Sequence, residues 1–134
     1  MSAEAHHAAV VAALQADAQL AAAVFEIGEV PDPAPERYIV HVSSLGDWEQ
    51  RRFTGVKAGL VTTHTLYCVG ASAKHARWLA GRVTTQLKDQ RLTVTGRYAF
   101  LPSPWISRPV QIDRDGLFPL PFGVIQFDLL SEPV

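Results

Sequence analysis

The side chains in this sequence that can do acid–base, nucleophilic or metal chemistry are few and scattered. There are five histidines, at positions 6, 7, 41, 64 and 75, one cysteine, Cys68, and an Asp-rich stretch around Asp113 and Asp115. His6 and His7 are adjacent in a segment that reads as helix. Successive helical side chains diverge by about 100°, so the two make a poor chelating pair. His41 and His64 fall in strand-like runs and can meet across a sheet, but no cysteine or acid stands at ligand spacing to complete a metal site. The favoured reading of each is a half-buried strand histidine with a hydrogen-bond partner. His75 falls on the exposed face of a helix. Cys68 sits in an apolar run without an activating neighbour and reads as a small buried hydrophobe. Asp113 and Asp115 beside Gly116 are a turn signal, because a calcium loop needs a following glutamate that is absent here. The sequence has no G-x-S-x-G elbow and no glycine pattern that would cradle a phosphate. No catalytic residue, metal or cofactor is expected, and the chain reads as a non-enzyme.

The elements that carry these residues follow from hydrophobic period and punctuation. Ser2 can cap a helix over residues 3–15, with Glu4 in its first turn and Val10, Val11 and Leu14 as an apolar stripe. Asp17 can cap a further short turn. Residues 24–30 read as a short strand with Phe25, Ile27 and Val30 candidates for burial. Pro31, Pro33 and Pro35 then impose an extended loop. Residues 38–42 alternate strongly, with Tyr38, Val40 and Val42 on one face and Ile39 and His41 on the other. Residues 43–58 fit either a loop or a long hairpin arm. Residues 60–69 read as a central strand buried on both faces. Ser72 caps the clearest helix, over residues 73–88, whose Ala76, Leu79, Ala80, Val83 and Leu87 share a face. Residues 92–99 alternate as a strand, residues 105–112 form an edge or bulged strand interrupted by Pro109, and residues 124–130 close the chain. The order α, β, β, β, α, β, β, β predicts one α+β domain over residues 1–134. It is a mainly antiparallel sheet of about five to six strands, with the N-terminal helix and the central amphipathic helix packed on it.

Composition excludes several function classes. A chain of 134 residues with 48% hydrophobic and 19% charged residues can build a core without a disulfide or metal. No run approaches the ~20 apolar residues of a membrane helix, and the start lacks a signal-peptide pattern, so a cytoplasmic product with no membrane partner is expected. The net charge of −1 gives no general pull toward nucleic acid. Its distribution is uneven, however. Residues 1–50 hold eight acids and one base, residues 51–108 ten bases and one acid, and residues 109–134 four acids and one base. Such a split suits oppositely charged faces meeting between copies of one chain, although accident of composition explains it equally well.

Aromatic residues in Gly- and Pro-rich contexts are the remaining feature. Trp48, Phe53, Trp105, Phe118 and Phe122 are of the type enriched at protein interfaces, as are Arg51 and Arg52. The competing reading is that the aromatics fold back over the core. Trp48, Arg51, Arg52 and Phe53 also resemble a nucleic-acid surface in miniature, but Asp47 and Glu49 dilute its charge.

Ala13-Leu14-Gln15-Ala16-Asp17 ends the first helix, and a Pro-rich loop leads into Tyr38-Ile39-Val40-His41-Val42. Thr62-Thr63-His64-Thr65-Leu66-Tyr67-Cys68-Val69 then runs into Ser72-Ala73-Lys74-His75-Ala76, and Asp113-Arg114-Asp115-Gly116 reads as a turn between the closing strands. This order of motifs resembles the tail completion (tail terminator) proteins of long-tailed, non-contractile bacteriophages. The resemblance covers nearly the whole chain, through patterns of structure rather than signatures of chemistry. It implies a virion protein at the head-proximal end of the tail, assembled in the host cytoplasm. The expected form is a homo-oligomer, a hexameric ring, that caps the tail tube and stops its polymerisation. The expected partners are the tail tube protein and a head–tail connector or stopper, with genomic DNA passing through the ring without sequence-specific binding. The alternatives are another neck component, such as the connector or stopper itself, and a small ligand-binding domain. The 43–58 arm matches no family pattern.

Overall fold

In the structure, a computed structural model, residues 2–49, 59–112 and 120–133 are described. Helix α1 (Ser2–Gln15) is followed by β1 (Val24–Glu26), β2 (Arg37–Ser43), β3 (Asp47–Glu49) and β4 (Gly59–Gly70). Helix α2 (Ala73–Leu87) then leads to β5 (Arg97–Ala99), β6 (Ile106–Gln111) and β7 (Phe122–Pro133). Among the described residues, seven strands form one sheet in the order β1-β2-β4-β7-β5, with β3 also pairing β4 and β6 also pairing β7. All pairings are antiparallel except β1 with β2. The α+β expectation holds, and the sheet gains a short third strand from the start of the 43–58 arm.

The centre of the sheet is built as its sequence demands. Strand β4 pairs with β2 on one side and β7 on the other; its Leu66 and Cys68 are buried in the core on one face and its Val69 in the cluster on the other. Both helices lie over the same face. Val10 and Leu14 of α1 and Leu79, Val83 and Leu87 of α2 pack with Ile39, Leu66, Cys68, Ile125, Phe127 and Leu129 of the sheet. Each large aliphatic residue buried there stabilises the fold by about 1.5–3 kcal/mol. Opposite-facing residues, Tyr38, Val40, Val69, Phe122 and Val124, form a second cluster flanked by Phe25, Val30, Val42 and Tyr67.

The caps behave as their residue types require. Ser72 Oγ accepts the His75 amide at 3.3 Å and starts α2. Asp17 accepts the Gln19 amide at 2.9 Å in the turn after α1, and its carboxylate takes both the Nε and a terminal N–H of Arg82 at 2.7 Å. This fork ties the α1 turn to α2, and the Gln86 side-chain amide reinforces it by donating to the Ala13 carbonyl at 2.9 Å.

Two strands are shorter than their hydrophobic patterns predict. The run at 24–30 stops at Glu26 because Gly28 turns the chain at φ 83°, leaving Ile27 56% exposed instead of buried. In the 92–99 run only Arg97–Ala99 is strand. Gly96, at φ 72°, turns the chain just before it, and Leu92 and Val94 reach the core from the preceding loop. Pro109 acts as expected: β6 is an edge strand whose pairing with β7 slips between Arg108 and Gln111. The Asp113–Gly116 turn expected from sequence lies outside the described residues.

Candidate functional site

Four of the five histidines converge between α1 and the sheet. Ile39 and His41 share a face of β2, and antiparallel pairing sets His41 opposite Leu66, close enough to His64 for a 2.8 Å contact between His41 Nε2 and His64 Nδ1. Helix α1 brings His6 down onto the same face. Its Nδ1 lies 2.8 Å from Thr62 Oγ1, and Thr62 Oγ1 lies 2.6 Å from His64 Nε2. His6 Nε2 is 2.5 Å from Ser131 Oγ, which accepts from Arg97 Nε at 2.6 Å. His7 stacks on His41 at 4.4 Å between centroids and lies 2.9 Å from the Glu26 carboxylate through Nε2. Its Nδ1 contacts Ser43 Oγ at 2.8 Å.

Donor and acceptor counting orients this chain. Because Arg97 donates to Ser131 Oγ, the assignment that leaves fewest donors unmatched has the Ser131 hydroxyl donate to His6 Nε2. His6 Nδ1–H then donates to Thr62, the Thr62 hydroxyl to His64 Nε2, and His64 Nδ1–H to His41 Nε2. Every histidine in it is neutral, and His41 Nδ1 is left as the buried end without a partner among the described residues. Burial drives the same outcome. It lowers His6 to about 4, helped by the nearby positive charge of Arg97. It also lowers His41 and His64 to about 3, with the neighbouring histidines adding to the effect.

The chemistry of this cluster is that of a fastening. Although four histidines meet here, no three His, Cys, Asp or Glu side chains among the described residues are placed to hold one metal ion. Each imidazole nitrogen but one is spent on a neighbour, so the cluster pins the start of α1 to β4 and β7. Sequence reasoning anticipated the His41–His64 meeting. It missed His6, whose partners come from strands 56 and 125 residues away. Cys68 is fully buried, and burial pushes its thiol up to about 12.

The interface candidates fall in different settings. Trp48 lies on β3, at the register position opposite Leu60. Arg51, Arg52, Phe53 and Phe118 lie outside the described residues. Trp105 is half-buried and stacks on Phe127, with 5.4 Å between centroids and 7° between planes. Phe122 is buried against Tyr67, with 6.2 Å between centroids. Both rings thus cover the core of their own protomer. Among the described residues the exposed large apolar side chains are mainly aliphatic: Leu45 at 94%, Ile112 at 54% and Ile106 at 39% accompany Ile27, with Tyr98 as the aromatic one.

No protein-family model matches the sequence, and no curated protein matches it. Among solved structures, the chain matches one from the virion of a native gene transfer agent (GTA) particle with a TM-score of 0.70 and 21% identity, over 98% of this chain and 97% of that one. It matches the bacteriophage SPP1 gp17 protein with a TM-score of 0.56 and 19% identity, over 93% of this chain and 88% of that one. No described helix is long and apolar enough to cross a membrane. Over nearly its whole length, then, this chain has the fold of a chain in a gene transfer agent virion and of a bacteriophage SPP1 protein.

Proposed function

We propose that this chain is a structural virion protein of the tail completion type. It assembles into a ring, with six copies as the expected number, on the head-proximal end of the tail tube. There it ends tube polymerisation and offers the surface on which the head side docks, while DNA passes through the opening without base-specific contacts. The observation that carries this reading is the end-to-end match to a chain of a gene transfer agent virion, 98% of one chain on 97% of the other. The match to the SPP1 protein points the same way, as does the sequence resemblance to tail completion proteins.

A ring needs two different patches, one on each side of the protomer, so that each copy meets the next head to tail. In this reading the arm with Trp48, Arg51, Arg52 and Phe53, together with the segment holding Trp105, Phe118 and Phe122, supplies ring or tube contacts. Trp105 and Phe122 contribute mainly by shaping the surface from below. The fastened histidine cluster keeps α1 rigid on the sheet and needs no chemical role. The test is electron microscopy of the protein mixed with tail tubes and, separately, with the portal side of the neck. Binding at tube ends supports the reading, and binding only at the portal side transfers the chain to the stopper or connector class. The double variant Trp48→Ser/Phe53→Ser is expected to stay folded and to bind tube ends at least about tenfold more weakly, as loss of two aromatic anchors implies. Full assembly by that variant removes the arm from the interface.

A further inference from the structure

The two lateral edges of the sheet carry opposite charge. At one edge, β1 and α1 border a cleft of about 450 Å³ lined by Glu4, Glu26 and Glu29, with Val11 and Phe25 also in its lining and no lysine or arginine among the described residues. At the other, β6 and α2 border a cleft of about 580 Å³ lined by Arg77 and Arg108, with Ala80 and Val110 and no acid among the described residues. Strands β1 and β6 are separated by β2, β4 and β7, so the clefts lie roughly 19 Å apart across the sheet at ~4.8 Å per strand step. Each is walled in part by a helix, α1 or α2, and both helices pack on the same face of the sheet.

The charges at both edges are available. Glu4 and Glu29 have no ion-pair partner among the described residues, and Glu26 is matched only by His7. Arg77 and Arg108 have no carboxylate partner among the described residues. Each set has exposed aliphatic residues near it in the chain, Ile27 just after β1, and Ile106 at the start of β6 with Ile112 just after it. Charges around an apolar centre are the usual anatomy of a protein contact. Main-chain pairing is blunted at both edges. Strand β1 has three residues, and Pro109 in β6 has no N–H to donate. Side chains must therefore make the join.

We infer that the acidic α1–β1 cleft of one copy receives the basic α2–β6 edge of the next, and that this contact closes the proposed ring. The occupant is a second copy of this chain, chosen by charge: each edge repels its like and attracts the other. Such a pairing is head to tail, leaves no edge unmatched in a closed ring, and weakens with salt. The inference rests on the ring reading above and fixes which surfaces make it.

Charge exchange tests it. One variant carries Arg77→Glu and Arg108→Glu, and a second carries Glu26→Lys and Glu29→Lys. The substituted side chains are exposed or rim-lying, and circular dichroism confirms that each variant is folded. Assembly is measured by native mass spectrometry and on the ends of tail tubes from the same virion. Each variant alone has two edges of one sign and is expected to assemble at least about tenfold more weakly than wild type, by the usual strength of rim charges taken two at a time. An equal mixture of the two is expected to regain assembly with an even number of subunits, because every junction then joins unlike edges. Combining all four substitutions in one chain is expected to restore self-assembly. If wild type assembles and both variants assemble equally well, these edges are not the contact, although the ring stands. If both variants fail and neither the mixture nor the combined chain recovers, the pairing is wrong. If wild type stays monomeric in solution and on tube ends, the ring reading falls and this inference with it.

Discussion

Acid should unfold this protein early, and the histidine cluster sets by how much. Unfolded histidine titrates near 6.5, whereas His6 is held to about 4 and His41 and His64 to about 3 by burial. The folded state therefore binds fewer protons than the unfolded state between those limits. Stability rises with pH in that window and is lost as pH falls from 6.5 toward 3. The cost at a given pH depends on the unfolded value as long as the folded values lie well below it. From pH 7 to pH 5.5, each of the three histidines loses a little over 1 kcal/mol of stabilisation, about 4 kcal/mol together. That is a large share of the ~5–15 kcal/mol available to a domain. Urea unfolding followed by tryptophan fluorescence at half-unit steps from pH 8 to pH 5 measures it directly. The midpoint should be level above pH 7 and fall steeply below 6.5. A change of less than about 1 kcal/mol between pH 7 and pH 5.5 would refute the neutral, interlocked cluster.

Gly70→Ala should destabilise the domain by about 2–3 kcal/mol, because a Cβ there would stand 2.6 Å from His75 Cβ and 2.7 Å from the Ala76 backbone nitrogen, where α2 leaves β4. A thermal melt within a degree of wild type would contradict that packing. Phe127→Ala, at a buried ring stacked between Trp105 and His64, is expected to cost about 3–5 kcal/mol in urea unfolding and to shift the Trp105 fluorescence. Cys68 should resist thiol reagents at pH 8 until the protein unfolds, since it is fully buried and its thiol is pushed up to about 12. Labelling of the native protein as fast as of free cysteine would show that the central strand opens.

Much of this fold was legible because local pattern and tertiary demand coincide. The three-and-four spacing of Ala76, Leu79, Val83 and Leu87 defines α2 and its buried face. The alternation around Tyr38 and Ile39 separates the two clusters of the sheet, and Pro109 marks the edge strand it interrupts. The departures have local causes. Gly28 and Gly96 turn the chain inside runs whose apolar pattern alone reads as continuous strand. Short β3 is held by its register against β4 and has too few residues to show a period. The site was less legible. Charge blocks along the sequence suit opposite faces and fit an accident of composition as well, and which acids and bases stand at free edges depends on strand order, which no local pattern states. His6 looks like a terminal surface histidine until Thr62 and Ser131 are placed beneath it.

The central claim is that this chain caps a tail tube as a ring. The most direct measurement is to polymerise tail tube protein with and without it and to image the tubes by electron microscopy. The account predicts shorter tubes whose ends carry a ring-shaped layer one domain thick, and no further growth from those ends. Tubes of unchanged length with bare ends would contradict it.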